Sequence, residues 1–348
     1  NISVEVQTVR DKLSVLEEYF GHDSFREGQD RITDSLLGGH DVLGIMPTGA
    51  GKSICYQVPA LMFDGITIVV SPLISLMKDQ VSALVQSGVA AAYINSSLTH
   101  AQYLKVLQNT ESGKYKIIYV APERLCAPAF LGICRNLNIS MVAVDEAHCV
   151  SQWGQDFRPS YLKIPDFIDA LNSRPVVGAF TATATGDVRD DIKTLLRLVS
   201  PLVVTTGFDR PNLFFSVMQP KNKSIELMKL IKERKNESGI VYCSTRKAVE
   251  EVCELLQKNG FAATRYHAGL DENERRRNQD DFVYDRAAIM VATNAFGMGI
   301  DKSNVSFVIH YNMPQSMENY YQEAGRAGRD GEPAKCILLF STQDVMIS

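Results

Sequence analysis

The chain has 348 residues, 45% hydrophobic and 22% charged, with 36 Lys and Arg against 40 Asp and Glu for a net charge of −4. That profile belongs to a soluble globular protein long enough for two ordinary domains, and it excludes a uniformly basic surface while leaving room for a local basic stripe. No apolar run reaches the roughly 20 residues of a membrane span; the opening NISVEVQTVRDKL lacks the basic-then-apolar order of a secretory signal; and the seven cysteines include no CxxC pair, so buried, reduced thiols are expected rather than a zinc site.

Short β-branched runs alternate with helical stretches. DVLGIM (41–46), ITIVV (66–70), KIIYV (116–120), ISMVAVD (139–145) and PVVGAF (175–180) read as buried strands of a parallel sheet, with helices over 73–86 and 100–109 among the segments between them. The pattern breaks at TTGFDRPNLFF, where Gly207 and Pro211 interrupt it. It then resumes with strands GIVYC, AATRY, AAIMVAT and VSFVIHY and helices over 223–234, 247–259 and 272–282. The run ENERRRNQDDF within the last helix alternates in sign, which predicts a solvated face rather than a nucleic-acid surface. The expected fold is α/β, two tandem domains over 1–207 and 208–348, each a parallel sheet flanked by helices. No low-complexity linker separates them, so they are expected to face one another across a cleft.

MPTGAGKSICYQ (46–57) joins the first strand to a helix. Gly49 and Gly51 allow the tight turn in which successive amides, from Thr48 through Gly49, Ala50, Gly51 and Lys52 to Ser53, point at one anion. The helix N-terminus favours phosphate further. Lys52 suits the β- and γ-phosphates and Ser53 suits Mg²⁺. The usual loop opens on glycine where this chain has Met46, but the amides nearest the anion are unaffected. The apolar strand at 141–144 then delivers Asp145 and Glu146 at its carboxyl end, where ligands bind in open α/β sheets. Asp145 suits a hard cation that keeps its waters, and Glu146 suits the orientation and deprotonation of an attacking water. ATP and Mg²⁺ are the expected cofactors.

Ten segments, in order along nearly the whole chain, complete a pattern. They are FGHDSFREGQ (20–29), the phosphate loop, SPLISLMKDQ (71–80), VAPERL (120–125), DEAH (145–148), FTATAT (180–185), IVYCSTRK (240–247), YHAGL (266–270), VATNAFGMGIDK (291–302) and YYQEAGRAGRDG (320–331). The pattern resembles the RecQ family of superfamily 2 DNA helicases. The resemblance implies tandem RecA-like domains with ATP in the cleft between them. It also implies ATP hydrolysis on single-stranded DNA, 3′-to-5′ translocation, and duplex unwinding in recombination and repair. Gln29 would pair with the adenine edge, Arg26 would stack on the base, and His22 stands where the family often has an aromatic ring. Asp301 joins the nucleotide contacts, and Gln322, Arg326 and Arg329 join the catalytic set. The two arginines, three apart on a helix face, would point across the cleft and neutralise transition-state charge.

SQWGQDFRPSY (151–161) resembles the family's aromatic-rich loop. Trp153 and Phe157 would stack on bases, and Arg158 would sit near phosphate or near the acids. Gln155 replaces a histidine common in the family. The competing reading of Trp153 is a core filler. The implied partners are single-stranded and partly duplex DNA and DNA-repair proteins, with no membrane. The chain is expected to act as a monomer, in the nucleoid if bacterial and the nucleus otherwise. The family's four-cysteine zinc module and winged helix are expected to be absent. An RNA helicase of the same superfamily and a nucleotide-gated clamp without turnover remain open as alternatives.

Overall fold

The structure is a computed structural model and describes residues 11–154, 156–207, 209–296 and 302–342. Gln155 and Asp301 lie outside the described residues. The chain forms two compact units, residues 1–208 and 209–348.

The first unit is built on strands β1 (Val42–Ile45), β2 (Ile66–Val70), β3 (Ala91–Ile94), β4 (Ile117–Val120), β5 (Ile139–Val144), β6 (Val176–Thr181) and β7 (Leu202–Thr205). They form one parallel sheet in the order β3-β4-β2-β5-β6-β1-β7. Its helices are α1 (Lys12–Phe20), α2 (Gln29–Leu37), α3 (Lys52–Met62), α4 (Ile74–Gln86), α5 (His100–Glu111), α6 (Pro128–Arg135), α7 (Ile164–Asp169) and α8 (Gly186–Leu195). The two-residue period of a strand divides the apolar runs between two cores. Leu43, Ile45, Ile68 and Val70 enter one, and Val42, Val69, Met141, Ala143 and Phe180 enter the other. Buried Asp41, just before β1, accepts from the amides of Val177 (2.9 Å) and Val199 (2.8 Å) and pairs with Arg174 (2.5 Å). One carboxylate thus ties the starts of β1 and β6 to the turn before β7.

The second unit has β8 (Leu213–Met218), β9 (Gly239–Tyr242), β10 (Ala263–Tyr266), β11 (Ile289–Ala292), β12 (Phe307–His310) and β13 (Ala334–Leu339), parallel in the order β10-β11-β9-β12-β13-β8. Its helices are α9 (Lys223–Glu233), α10 (Arg246–Lys258), α11 (Glu272–Val283) and α12 (Met317–Ala324). In α10 Val249, Val252, Cys253 and Leu256 are buried, the spacing of one helix face. In α11 the buried residues are Asn278 and Phe282, so the charge run is largely a solvated face, with Glu274 paired to Arg265 at 3.0 Å.

The apolar periodicity does not mark β3, β7, β8 or β13. β3 is AAYI, with two alanines of low strand preference. β7 and β8 lie at sheet edges, where one-sided burial blurs the apolar signal. No helix among the described residues is long and apolar enough to cross a membrane.

Candidate nucleotide and nucleic-acid site

The phosphate loop leaves the carboxyl end of buried β1 and opens α3. Gly49 (φ 85°) and Gly51 (φ 77°) both take the left-handed conformation. Gly51 caps α3 without any side-chain acceptor, so the first-turn amides carry no side-chain cap and keep the positive end of the helix dipole. Gln29 supports the loop from below. Its Nε2 donates to the carbonyls of Ala50 (3.1 Å) and Gly51 (3.0 Å), and its Oε1 accepts from the Arg26 amide (2.8 Å). Arg26 donates to the Gly49 carbonyl at 2.7 Å. Both residues therefore brace the loop, and the Gln29 carboxamide is committed to loop backbone here. His22 is exposed nearby in sequence, before α2. Lys52 folds back to donate to the Met46 carbonyl at 3.2 Å, while Thr48, Ala50 and Ser53 are half-buried around the turn.

Asp145 follows β5 directly, and its amide continues the ladder onto Val70 (2.9 Å). It is 6% exposed. Burial, then the negative charge of Glu146, push its carboxyl up to about 7; Lys52 and the Glu146 amide pull the other way. A buried oxygen donor in that condition gains from a cation, so the residues fit Mg²⁺. Glu146 adopts φ 48°, ψ 48°, a conformation that costs a side-chain-bearing residue about 1 kcal/mol or more and gathers at functional sites. Its Oε2 accepts no hydrogen bond and lies 3.4 Å from His148 Nδ1. His148 Nδ1 is 2.9 Å from Thr181 Oγ1, which itself donates to the Thr183 carbonyl (2.9 Å). The threonine proton is thereby spent, so His148 carries its proton on Nδ1. In FTATAT, Thr181 thus reaches the acids through His148, whereas Thr185 is a helix cap accepting from Val188 at 3.4 Å.

The aromatic-rich loop packs through its polar atoms. Ser151 Oγ donates to Asp191 (2.6 Å) and accepts from the Trp153 amide (3.1 Å). Trp153 is 79% exposed, which overturns the core-filler reading. Phe157 is half-buried. Arg158 is occupied: it pairs with Asp156 (2.7 Å) and donates to the Pro72 carbonyl (2.9 Å), tying this loop to the one that leads into α4.

In the second unit Gln322 lies on α12, but Arg326 and Arg329 do not share a helix face. The helix stops at Ala324, and hydrogen-bonded turns follow. The sequence contains the cause. Gly328 takes φ 57°, and a Cβ there would stand 2.5 Å from Asn212 Nδ2 and 2.8 Å from the Glu332 carbonyl. Arg210 captures carbonyls that a continuing helix would need, donating to Gly325 (3.4 Å), Ala327 (2.9 Å) and Gly328 (2.8 Å). Arg210 was missed in sequence; its one signal is an arginine set into the turn DRPN. Arg326 is buried and Arg329 half-buried.

Two family models match, DEAD/DEAH box helicase over residues 26–192 and helicase conserved C-terminal domain over 222–331. The chain is 50% identical over 96% of its length to the ATP-dependent DNA helicase RecQ of Bacillus subtilis (strain 168) and 45% identical over 98% to that of Pasteurella multocida. It covers 57% and 54% of those relatives, so it spans a little over half their length. It is also 44% identical over 97% of its length to the ATP-dependent helicase wrn-1 of Caenorhabditis elegans, of which it covers 32%. In fold it superimposes on the DEAD-box helicase Mss116 (TM-score 0.82, 19% identity, 98% of this chain and 75% of that one). It also superimposes on the DNA-bound DUF1998 helicase MrfA (TM-score 0.79, 20% identity, 97% and 52%). The two parallel sheets are tandem RecA-like domains, and the chain belongs to the RecQ family of superfamily 2 helicases.

Proposed function

We propose that the chain is the ATP-driven motor of a DNA helicase, hydrolysing ATP while engaged on single-stranded DNA. One observation carries this reading. At the carboxyl ends of two strands of one sheet, a phosphate loop opening on a helix without a side-chain cap stands beside an acid pair, Asp145 buried and Glu146 half-buried, and Lys52 is near enough for its charge to act on Asp145. Such a pairing suits phosphoryl transfer, in which positioning and charge neutralisation do most of the work. Thr48 to Ser53 hold the phosphates. Ser53 and Asp145 hold Mg²⁺, which when bound neutralises charge on the phosphate oxygens. Glu146, with a buried oxygen that accepts no hydrogen bond, orients the attacking water and takes its proton. Gln29, Arg26 and His22 form the base end of the site; the family resemblance adds Gln322, Arg326, Arg329 and Asp301, the two arginines as sources of cationic charge for the transition state. Trp153 and Phe157 stack on DNA bases. Arg158 serves that loop by holding it against Pro72. The RecQ relatives carry DNA helicase names, which supports DNA over RNA; 3′-to-5′ movement and a place in recombination and repair are what the family resemblance implies.

The test is phosphate release over many cycles with single-stranded DNA or RNA of one sequence, for wild type and Lys52→Ala. DNA should stimulate more than RNA, and the lysine variant should lose about 100-fold or more, the scale of one lost charge stabiliser. A variant rate within about twofold of wild type would reject the phosphate-loop role.

A further inference from the structure

An indole that stands 79% exposed is held in a state it would not choose in a loose loop. There it would settle on nearby apolar surface, and a ligand would have to order it again on arrival. Here the loop is held from behind. Its two ends meet where the Arg158 amide donates to the Cys149 carbonyl at 2.8 Å. Within it, residues 151–154 form a tight turn, closed by the Gly154 amide on the Ser151 carbonyl at 3.0 Å. Gly154 packs so closely on the preceding chain that a Cβ there would stand 2.3 Å from the His148 carbonyl.

One hydroxyl sets the direction of that turn. Ser151 is fully buried, so protein atoms must satisfy its Oγ. A serine hydroxyl has one proton and two lone pairs. The proton goes to Asp191 Oδ2 at 2.6 Å, a short bond to an acidic side chain. That choice fixes the hydroxyl rotor and leaves a lone pair for the Trp153 amide at 3.1 Å. An ionised carboxylate only accepts, so the bond cannot reverse. Without it the rotor is free to turn its proton toward the Trp153 amide, donor against donor. Asp191 is itself steadied by α8, whose buried Val188 and Ile192 enter the same core as Cys149 and Val150 just before the loop.

We propose that Asp191 is a positioning residue for Trp153, fixing through the Ser151 hydroxyl the turn that keeps the indole out in solvent and ready for a DNA base. The inference deepens the DNA reading above and rests on it. A turn ordered in advance lowers the entropy cost of binding. Its loss therefore acts on DNA affinity and not on ATP hydrolysis in the absence of DNA.

A double-mutant cycle tests it. Affinity for single-stranded DNA is measured by anisotropy for wild type, Ser151→Ala, Trp153→Ala and the pair. Ser151→Ala breaks the link without changing charge, so counterion effects stay constant. It should weaken DNA binding about threefold to tenfold, the scale of one lost hydrogen bond. Hydrolysis without DNA should stay within about twofold of wild type. In the Trp153→Ala background the serine change should have no further effect, because the group it orients is gone. A merely structural serine would weaken both backgrounds by one factor. Multiplying losses, or a Ser151→Ala affinity equal to wild type, would overturn the proposal. Asp191→Asn and Asp191→Ala form a second arm that leaves the buried hydroxyl in place. Both remove the same charge, so any repulsion of DNA changes equally. Only asparagine keeps an oxygen that accepts from Ser151, so it should bind DNA about threefold or more tightly than the alanine variant. Equal affinities would count against Asp191. A Trp153→Ala variant that binds DNA like wild type would remove the DNA role of the loop and this inference together. A weakened Trp153→Ala beside an unaffected Ser151→Ala would remove the inference alone.

Discussion

The two sheets can be laid strand on strand. The order β3-β4-β2-β5-β6-β1 of the first corresponds to β10-β11-β9-β12-β13-β8 of the second, so β1 answers to β8 and β5 to β12. The chemistry at those strand ends diverges. After β1 come two left-handed glycines and a helix whose N-terminus lacks a side-chain cap. After β8, residues 219–222 include no glycine, and Asn222 closes the first turn of α9 by accepting from the Ile225 amide at 3.1 Å. β5 is followed by Asp145 and Glu146, whereas β12 ends on His310, which is paired with Glu323. The segment after β5 turns Trp153 into solvent, but the segment after β12 packs Tyr320 on His310. One fold thus carries glycine turns and an acid pair at these strand ends in the first unit, and a capped turn and a histidine–glutamate pair at the matching ends in the second, and the difference lies in a few loop residues.

The largest effect expected from breaking this contrast is at Gly51. An alanine there is forced to φ 77°, and its Cβ would stand 2.5 Å from Gln29 Nε2. That amide cannot swing away without losing its bonds to Ala50 and Gly51. Gly51→Ala should therefore weaken ATP binding at least about tenfold, equivalent to about 1.4 kcal/mol, as read by equilibrium titration with a fluorescent ATP analogue. Unchanged affinity would mean that glycine geometry is not what separates the two sheets.

Trp153 gives a more selective effect, confined to DNA binding. Its ring contributes little to the core at 79% exposure, so Trp153→Ala should leave the thermal midpoint nearly unchanged. Stacking contributes about 1–3 kcal/mol per base, so affinity for single-stranded DNA should drop about fivefold to a hundredfold in an anisotropy titration. A lowered midpoint with unchanged DNA affinity would make Trp153 a packing residue, like Tyr320 in the second unit.

Much of this contrast is legible in sequence, because the first unit's half of it is written in local signals. Gly49 and Gly51 after an apolar run announce the loop, and Asp145 and Glu146 after another announce the acids. The second unit was harder to read. His310 and Glu323 are 13 residues apart and Tyr242 is 68 residues from His310, so their contact depends on β9 and β12 lying side by side. The arginine turn misled for a related reason: spacing of three suits a helix, but Arg210, more than 100 residues away, takes the carbonyls. Edge strand β8 escaped because Phe214, Phe215 and Val217 point to both faces and remain exposed, which erases the alternation.

The smallest expected effect is at Asn222, and it tests whether capping alone closes the second sheet to anions. Asn222→Ala removes the acceptor for the Ile225 amide. Loss of such a cap costs about 1 kcal/mol, a shift of a few degrees in the melting of a unit this size. ATP affinity should not change, since Asn222 is not among the proposed nucleotide contacts. An N-terminus freed of its cap still needs a backbone that curls its amides around one point, and Gln219, Pro220 and Lys221 supply neither glycine freedom nor, at the proline, an amide proton. Inorganic phosphate titrated into the variant should therefore leave the amide resonances of Lys223 to Ile225 in place. If they moved at millimolar phosphate, the cap would be the whole difference between the two strand ends, and the glycines of the first loop would be refinements of an anion site that any exposed helix start provides.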